Sequence, residues 1–333
     1  MSFRALRVFE NPDGSFRREL VTLNQQDLPA GEVTIRVAFS SLNYKDALSA
    51  SGNRGVTRHY PHTPGCDSVG TIETSTNSNW QVGQRVLVTG YDLGMNTHGG
   101  FSELIRVPGN WIVALSDNLS FREAMTIGTA GYTAALALHY LEKYSFSLRG
   151  GPILVTGASG GVGSFAVALF SSLGYSVTAC TGKADAHEFL SELGAKVILS
   201  RQEFLSGRDR VLEKENWAGV LDTVGGDMLP RELAQCMPGA CVACCGMVSK
   251  PVLSTSLMPF LLRGIRLIGL AAAQSPMALR LSIWKRLSGE WRIPDFSKIC
   301  REVNLENLEK EISRILAGKQ VGRVVVRVGE RHV

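Results

Sequence analysis

The chain has 333 residues, 44% of them hydrophobic and 20% charged, a length beyond that at which a single core stops growing, so two domains are expected. Lys and Arg outnumber Asp and Glu by 35 to 30, but the densest basic clusters, Arg17-Arg18 and Arg208 to Arg210, are short and lack interleaved aromatics, which argues against a nucleic-acid track. The longest apolar run, Ile265 to Ala273, is cut by Arg266 and Gly269, and the first residues lack an apolar core with a cleavage site; neither a membrane span nor a secretion signal is expected, and seven cysteines, an odd number, fit reduced thiols in the cytoplasm.

Residues 1 to 121 read as strands and turns. Val33 to Phe39 alternates apolar and polar residues, Val69 to Ile72 and Arg85 to Val88 are shorter runs, and Gly, Asn and Pro separate them. Three polar stretches interrupt this mostly β pattern: Ser40 to Asp46, directly after the strongest strand, His62 to Gly70, and His98 to Glu103. Each is open to two readings, turn chemistry or site material. From Phe121 the period becomes helical, and small residues recur from Ile127 to Leu136.

An apolar strand pattern, Ile153 to Thr156, then meets Gly157-Ala158-Ser159-Gly160-Gly161-Val162-Gly163, with a helical pattern from Phe165. Glycines let backbone N–H groups approach a pyrophosphate, and the helix that follows turns its positive end toward the same anion. Ser159 departs from a strict G-x-G-x-x-G, so on these letters alone a phosphate cradle and an ordinary turn both remain open.

Strand and helix patterns alternate onward: Ser176–Cys180, a helix around Asp185–Leu193, Lys196–Leu199, Gly219–Asp222, a helix from Leu229 to Cys236, a cysteine-bearing strand, and Arg266–Leu270. This is the signature of a right-handed, doubly wound parallel sheet. Cys241-x-x-Cys244 is half a zinc site or a redox pair in one reading; its Val and Ala neighbours and the absence of a second C-x-x-C favour buried filler. An amphipathic segment at Met277–Leu287, a helix near Leu305–Ala317 and a closing strand, Arg323–Val328, end the chain. That last strand is expected to return to the first domain, which makes the nucleotide domain an insertion.

Where a strict NAD binder places Asp or Glu after its second strand, this chain has Thr181-Gly182-Lys183, and Arg201 follows the next strand. A hydroxyl, a bare backbone and cations form a phosphate socket, which favours NADPH over NADH; the alternative is Lys183 as a solvated surface lysine. No catalytic metal is expected: Asn43 and Tyr44 follow the Val33–Phe39 strand, Cys66 follows Pro64-Gly65, and His59, His62 and His98 make no ligand-spaced set with a cysteine.

Taken together, Leu42-Asn43-Tyr44-Lys45-Asp46, Pro64-Gly65-x-Asp67, Gly83-Gln84-Arg85-Val86, Gly128 to Ala134, Thr156 to Gly163 and Asp222-Thr223-Val224-Gly225-Gly226 stand in an order and spacing that resembles the zinc-free medium-chain dehydrogenase/reductases. Within these the chain is similar to the YhdH/YhfP type of quinone-oxidoreductase-like protein, whose characterised members are NADPH-dependent acryloyl-CoA reductases. The resemblance spans nearly the whole chain. It implies an α/β fold in which a Rossmann domain of residues 122–265 is inserted in a mostly β GroES-like domain of residues 1–121 and 266–333, with a cleft between them, and a homodimer.

The resemblance also carries site residues. Tyr44 matches the active-site tyrosine; Ser159, Gly160, Gly161 and Val162 the pyrophosphate loop; Thr181, Gly182 and Lys183 the 2′-phosphate socket; Arg201 the adenosine-side arginine; and Met247 a cofactor contact made through backbone. Ser159 is expected to turn its hydroxyl toward the cofactor. Where the family shows an Asp-Ser pair this chain has Leu270-Ala271-Ala272-Ala273, which leaves the substrate more open than the cofactor. The reaction implied is reduction of a carbon–carbon double bond conjugated to a carbonyl, in acryloyl-CoA or a related short enoyl thioester, by hydride transfer from NADPH to the β-carbon. Tyr44 is expected to orient the substrate or protonate the α-carbon, or else only to wall the cleft. Asn43 is expected to donate to the nicotinamide amide or the developing oxyanion, and Arg323 to bind the phosphates of coenzyme A. The rivals are an NADPH:quinone oxidoreductase and an NADPH-binding protein without turnover.

Overall fold

The alternating run from Val33 becomes a ten-residue strand whose inward positions, Val33, Ile35 and Val37, lie in a buried core with Val86, Val88, Ile105, Val324 and Val326. The computed structural model describes residues 2–146, 148–206 and 210–329, so Arg208 of the second basic cluster lies outside the described residues. The chain opens with β1 (Ser2–Glu10) and β2 (Phe16–Asn24), then β3 (Val33–Leu42), α1 (Tyr44–Ala50), β4 (Asp67–Ser75), β5 (Arg85–Thr89), β6 (Leu104–Val107), β7 (Val113–Ala114) and the long α2 (Phe121–Tyr144). Alternation follows: β8 (Ile153–Thr156), α3 (Gly161–Ser172), β9 (Val177–Thr181), α4 (His187–Glu192), β10 (Val197–Ser200), α5 (Arg201–Leu205), β11 (Trp217–Asp222), α6 (Met228–Ala234), β12 (Cys236–Cys244), α7 (Met258–Arg263) and β13 (Arg266–Gly269). The last part holds α8 (Met277–Leu287), β14 (Cys300–Asn304), α9 (Leu308–Leu316) and β15 (Arg323–Arg327).

Two units result, one of Met1–Thr129, Ala273–Ser288 and Cys300–Val333, the other of Ala130–Ala272 and Gly289–Ile299. In the first, β1 and β2 form an antiparallel pair and a seven-stranded sheet runs β14-β15-β3-β4-β5-β7, with β6 also on β3. The closing strand does return here: β15 runs antiparallel to β3, with Val324 opposite Leu42 and Arg327 opposite Phe39. A run of three fully buried valines, Val324 to Val326, is covered on both faces, and β14 and β3 pair both edges of the strand.

The second unit is a six-stranded parallel sheet in the order β10-β9-β8-β11-β12-β13. Numbered from its own first strand this is 3-2-1-4-5-6, the doubly wound dinucleotide arrangement, whose ligand crevice opens beyond the carboxyl ends of β8 and β11. Arg266–Gly269 pairs with Cys241–Cys244 in this sheet. A boundary between residues 265 and 266 would cut that strand away, so the sheet corrects it. Helix α3 begins at Gly161, inside the glycine turn rather than at Phe165, because the glycines adopt helical angles once the turn is made. The short α1, α5 and α7 and strand β14 span too few residues to establish a period and were not anticipated.

All seven cysteines are free. In β12, Cys236 and Cys241 are buried, and burial pushes the Cys241 thiol up to about 11, as befits an inert apolar filler.

Two acidic side chains are buried in the second unit. Glu232, on α6, is fully buried beside Asp222, and desolvation together with the Asp222 charge raises its carboxyl well above the ordinary range. Asp222 itself is well solvated by protein donors, accepting from Thr156 Oγ1 and the amides of Val224 and Gly225, each at 2.9 Å. Glu232 therefore carries the proton in the folded state. Above the range near pH 4 where an unfolded glutamate ionises, the unfolded chain releases that proton and the folded chain keeps it, so this group's contribution destabilises progressively as pH rises. Glu232→Gln should accordingly melt at a higher temperature than the wild type at pH 8, with the gap closing toward about pH 4; thermal denaturation across that range, with no gap at pH 8, would contradict the assignment.

Candidate functional site

In the second unit the turn after β8 is built by two glycines with distinct roles. Gly157 has φ 58°, and a Cβ there would stand 2.3 Å from Thr223 Oγ1, at the end of β11; a Cβ on Gly163 would stand 2.5 Å from the Gly157 carbonyl oxygen. Both positions exclude any side chain. Gly160 is the extended N-cap of α3 and no side chain caps the helix, so the first-turn amides of Gly161, Val162 and Gly163 have no intrahelical acceptor and sit at the positive end of a twelve-residue helix. Ser159 does not add to them as expected. Its side chain is buried and its Oγ lies 2.9 Å from Thr181 Oγ1, since β8 and β9 are neighbours and their carboxyl ends meet. The hydroxyl thus fixes the next loop instead of facing outward.

That loop holds Thr181, Gly182 and Lys183. Thr181 Oγ1 accepts from the Lys183 amide at 3.2 Å. A Cβ on Gly182 would lie 3.0 Å from Arg201 Nη2 and 3.1 Å from its Cζ, so the guanidinium rests against bare backbone. Arg201 opens α5, whose first turn is held by a reciprocal Ser200–Glu203 cap. Thr181, Gly182 and Arg201 therefore come together at the ends of β9 and β10, with Lys183 next in the chain. Met247 is 70% exposed in the loop after β12.

In the first unit the chain leaves β3 at Ser41-Leu42 and turns into α1 at Asn43, the N-cap, with Tyr44 as the first helical residue, 44% exposed. Below it lies a buried polar network. Asp67 accepts from Ser41 Oγ at 2.6 Å, Asn43 Nδ2 at 2.8 Å, Thr129 Oγ1 at 2.6 Å and the Thr129 amide at 2.9 Å. Arg323 Nη2 lies 3.8 Å from Asp67 Oδ2, and both side chains are buried. Asp46 accepts from the amides of Asn43 and Cys66, each at 2.8 Å; burial and the nearby Asp67 charge push its carboxyl up to about 6. Gly128, at φ 48° and ψ −156°, breaks the helical path of α2. A Cβ there would stand 2.6 Å from Asp67 Oδ2 and 2.8 Å from Arg323 Nη2.

Two expectations are corrected here. Arg323 is 1% exposed, and its guanidinium donates to Ser41 Oγ at 2.8 Å, Asn43 Oδ1 at 3.1 Å, Thr126 O at 3.1 Å and Leu42 O at 3.3 Å. A cation engaged on this many internal acceptors, beneath the strand that carries it, is not placed to hold coenzyme A phosphates. Asn43 has its amide nitrogen on Asp67 and its amide oxygen under Arg323, so it supports α1 and has no donor to offer nicotinamide or an oxyanion. In the alanine-rich stretch the Ala273 carbonyl accepts from the Tyr91 amide at 2.9 Å and from Arg280 Nη2 at 3.1 Å.

Residues 29–117 match the alcohol dehydrogenase GroES-like domain family, and residues 161–285 match the zinc-binding dehydrogenase family. Over 98% of its length the chain is 41% identical to the acrylyl-CoA reductase AcuI of Ruegeria pomeroyi, of which it covers 99%. The chain belongs to the medium-chain dehydrogenase/reductase superfamily, in the branch of AcuI, YhdH and YhfP. Within this branch the YhdH oxidoreductase of Salmonella enterica, solved in complex with NADP, is 43% identical and superposes with a TM-score of 0.94 over 99% of this chain and 100% of that one. YhfP of Bacillus subtilis, solved with NAD bound, is 38% identical with a TM-score of 0.95, over 98% and 99%.

The described residues gather no ligand set for the superfamily's zinc. Among the described residues no group of three or more His, Cys, Asp and Glu side chains is arranged to hold a metal ion, and Cys66 is a buried thiol pushed well up by desolvation and the Asp46 and Asp67 charges, with Asn43 Nδ2 at 3.3 Å. The residues that sequence reasoning passed over are those of the network, Ser41, Asp46, Thr129 and above all Asp67. Asp67 was visible only as a letter in Pro64-Gly65-x-Asp67; its partners come from four separate segments, so no local spacing could pair them.

Proposed function

We propose that this chain is an NADPH-dependent oxidoreductase that reduces a carbon–carbon double bond conjugated to a thioester carbonyl, with acryloyl-CoA or a related short enoyl thioester as substrate. The observation that carries this is 41% identity, across almost the full length of both chains, with a protein named acrylyl-CoA reductase. The relative solved with NADP supports the dinucleotide. The first-turn amides of α3 would hold the pyrophosphate. Arg201 against Gly182, with Lys183 beside them, suits a 2′-phosphate, because cations replace the acid that a 2′-hydroxyl would need.

When bound, NADPH supplies the hydride that goes to the β-carbon. The chain's own part is to orient the thioester and bring a proton to the α-carbon as the enolate collapses. Tyr44 is the group we assign to that, directly or through water: it stands half-exposed at the start of α1, and its backbone is anchored by the buried network. A phenol is a weak acid near neutrality, so orientation is the larger share of its role. Met247, exposed after β12, is assigned a backbone contact to the dinucleotide.

The same reading includes a homodimer in the cytoplasm. Leu257, Leu261 and Leu262 are each more than two-thirds exposed, and they precede β13, the outer strand of the parallel sheet with one edge bare. Apolar side chains beside an unpaired edge call for cover, which a second copy provides by symmetry. Free thiols throughout suit a reducing compartment, and among the described residues no helix is long and apolar enough to cross a membrane.

Steady-state rates with NADPH on acryloyl-CoA, crotonyl-CoA and benzoquinones test the activity: saturable turnover of the thioesters is expected, whereas turnover of quinones alone would make the chain a quinone reductase, and binding of NADPH without oxidation of any acceptor would make it a binding protein. Lys183→Ala should raise KM for NADPH roughly tenfold and leave that for NADH nearly unchanged, as loss of one charge-assisted contact implies; equal effects would remove the phosphate socket. Sedimentation of Leu261→Asp should show monomer where the unaltered chain shows dimer, and a monomeric unaltered chain would end the dimer proposal.

A further inference from the structure

Tyr44 is poorly held by its own side chain. Among the described residues its hydroxyl has no hydrogen-bond partner, and 44% of its surface is exposed. Its direction is therefore inherited from the backbone, and the residue that sets it is Asn43, whose extended angles (φ −121°, ψ 162°) carry the chain from β3 into α1. The Asn43 side chain is gripped at both ends: Nδ2 donates to Asp67 Oδ2 at 2.8 Å, and Oδ1 accepts from Arg323 Nη1 at 3.1 Å. The Asn43 amide donates to Asp46. An amide oriented by an anion on one side and a cation on the other cannot rotate without giving up both of these contacts.

We infer that Asp67 is a positioning residue for Tyr44, acting through Asn43, with Arg323 as the counter-charge that closes the grip. Asp67 is fully buried and joins three segments at one carboxylate: the end of β3 through Ser41, the α1 cap through Asn43, and α2 just past the Gly128 break through the Thr129 amide and hydroxyl. Each of these contacts aims a donor at a carboxylate oxygen. Carboxamide at this position turns an NH2 toward some of them and releases Asn43. Its kinetic consequence rests on the reductase reading above, in which Tyr44 meets the substrate; the geometric consequence does not.

The test uses Asp67→Asn and Asn43→Ala in the full chain, each with two readouts. With acryloyl-CoA and NADPH, kcat should fall about 10- to 100-fold, as a displacement near 1 Å of an orienting group implies, while KM for NADPH stays within about twofold. Independently, the chain has seven tyrosines; labelled with 3-fluorotyrosine and assigned with Tyr44→Phe, the Tyr44 fluorine line should shift and broaden in both variants while the other lines hold. If Asp67→Asn does not fold, Asn43→Ala decides alone. A folded variant with an unchanged Tyr44 line overturns the inference, as does movement of all the lines together, which marks a general loss of structure. If the unaltered chain turns over no enoyl thioester, the reductase reading fails while the fluorine spectra still decide the positioning role.

Discussion

A carboxylate without water has to find donors, and the way Asp67 finds them organises the first unit. It lies at the start of β4 with no exposed surface, so its charge would be prohibitive unless surrounded. The chain supplies two hydroxyls, a side-chain amide, a backbone amide and a guanidinium, drawn from β3, the α1 cap, α2 and the closing strand β15. Losing one partner of such a buried set typically costs about 3–5 kcal/mol, because the remaining charge stays buried. The return of β15 to the first unit is thus more than sheet completion: it delivers Arg323, the cation that makes the burial of Asp67 tolerable. Gly128 follows from the same constraint, since a side chain there would enter the space between carboxylate and guanidinium.

The second unit solves a parallel problem at the end of β11. Asp222 takes the amides of Val224 and Gly225 and the Thr156 hydroxyl, which ties the loop after β11 to the end of β8. Thr223, held by the same geometry, donates through Oγ1 to the Thr156 carbonyl at 2.7 Å and leaves room at Gly157 for no side chain. The glycine turn is therefore shaped from behind by an aspartate and a threonine, and from the front it exposes unpaired first-turn amides. Glu232, with no comparable donor set, is buried as the neutral acid.

These two arrangements bear on how far the resemblance reaches. Amides at the start of α3 and the Arg201 guanidinium against the bare Gly182 are the features proposed above to meet a dinucleotide's phosphates. The carbonyl-polarising metal of other superfamily members has no counterpart set of ligands among the described residues; a charge-paired network anchors Asn43 and Tyr44.

Patterned segments were legible in the sequence because they are local. The alternation of Val33–Phe39, the glycine turn, the strand–helix succession and the absence of an acid at Thr181-Gly182-Lys183 each depend on residues within one or two turns of chain, and the patterned segments were enough to identify a doubly wound sheet inserted in a β unit. What the letters could not decide was where long side chains end. Arg323 read as a free cation for substrate phosphates and Asn43 as a free donor; tertiary structure buries one and engages the other, because Asp67, 256 residues away from Arg323 in sequence, must be neutralised where it sits. Ser159 read as a cofactor-facing hydroxyl and turned inward for a similar reason, the meeting of two adjacent strand ends. Local period and turn chemistry determine which segments form; the pairing of buried charges, which is set by distance in space, decides which polar residues remain available for chemistry.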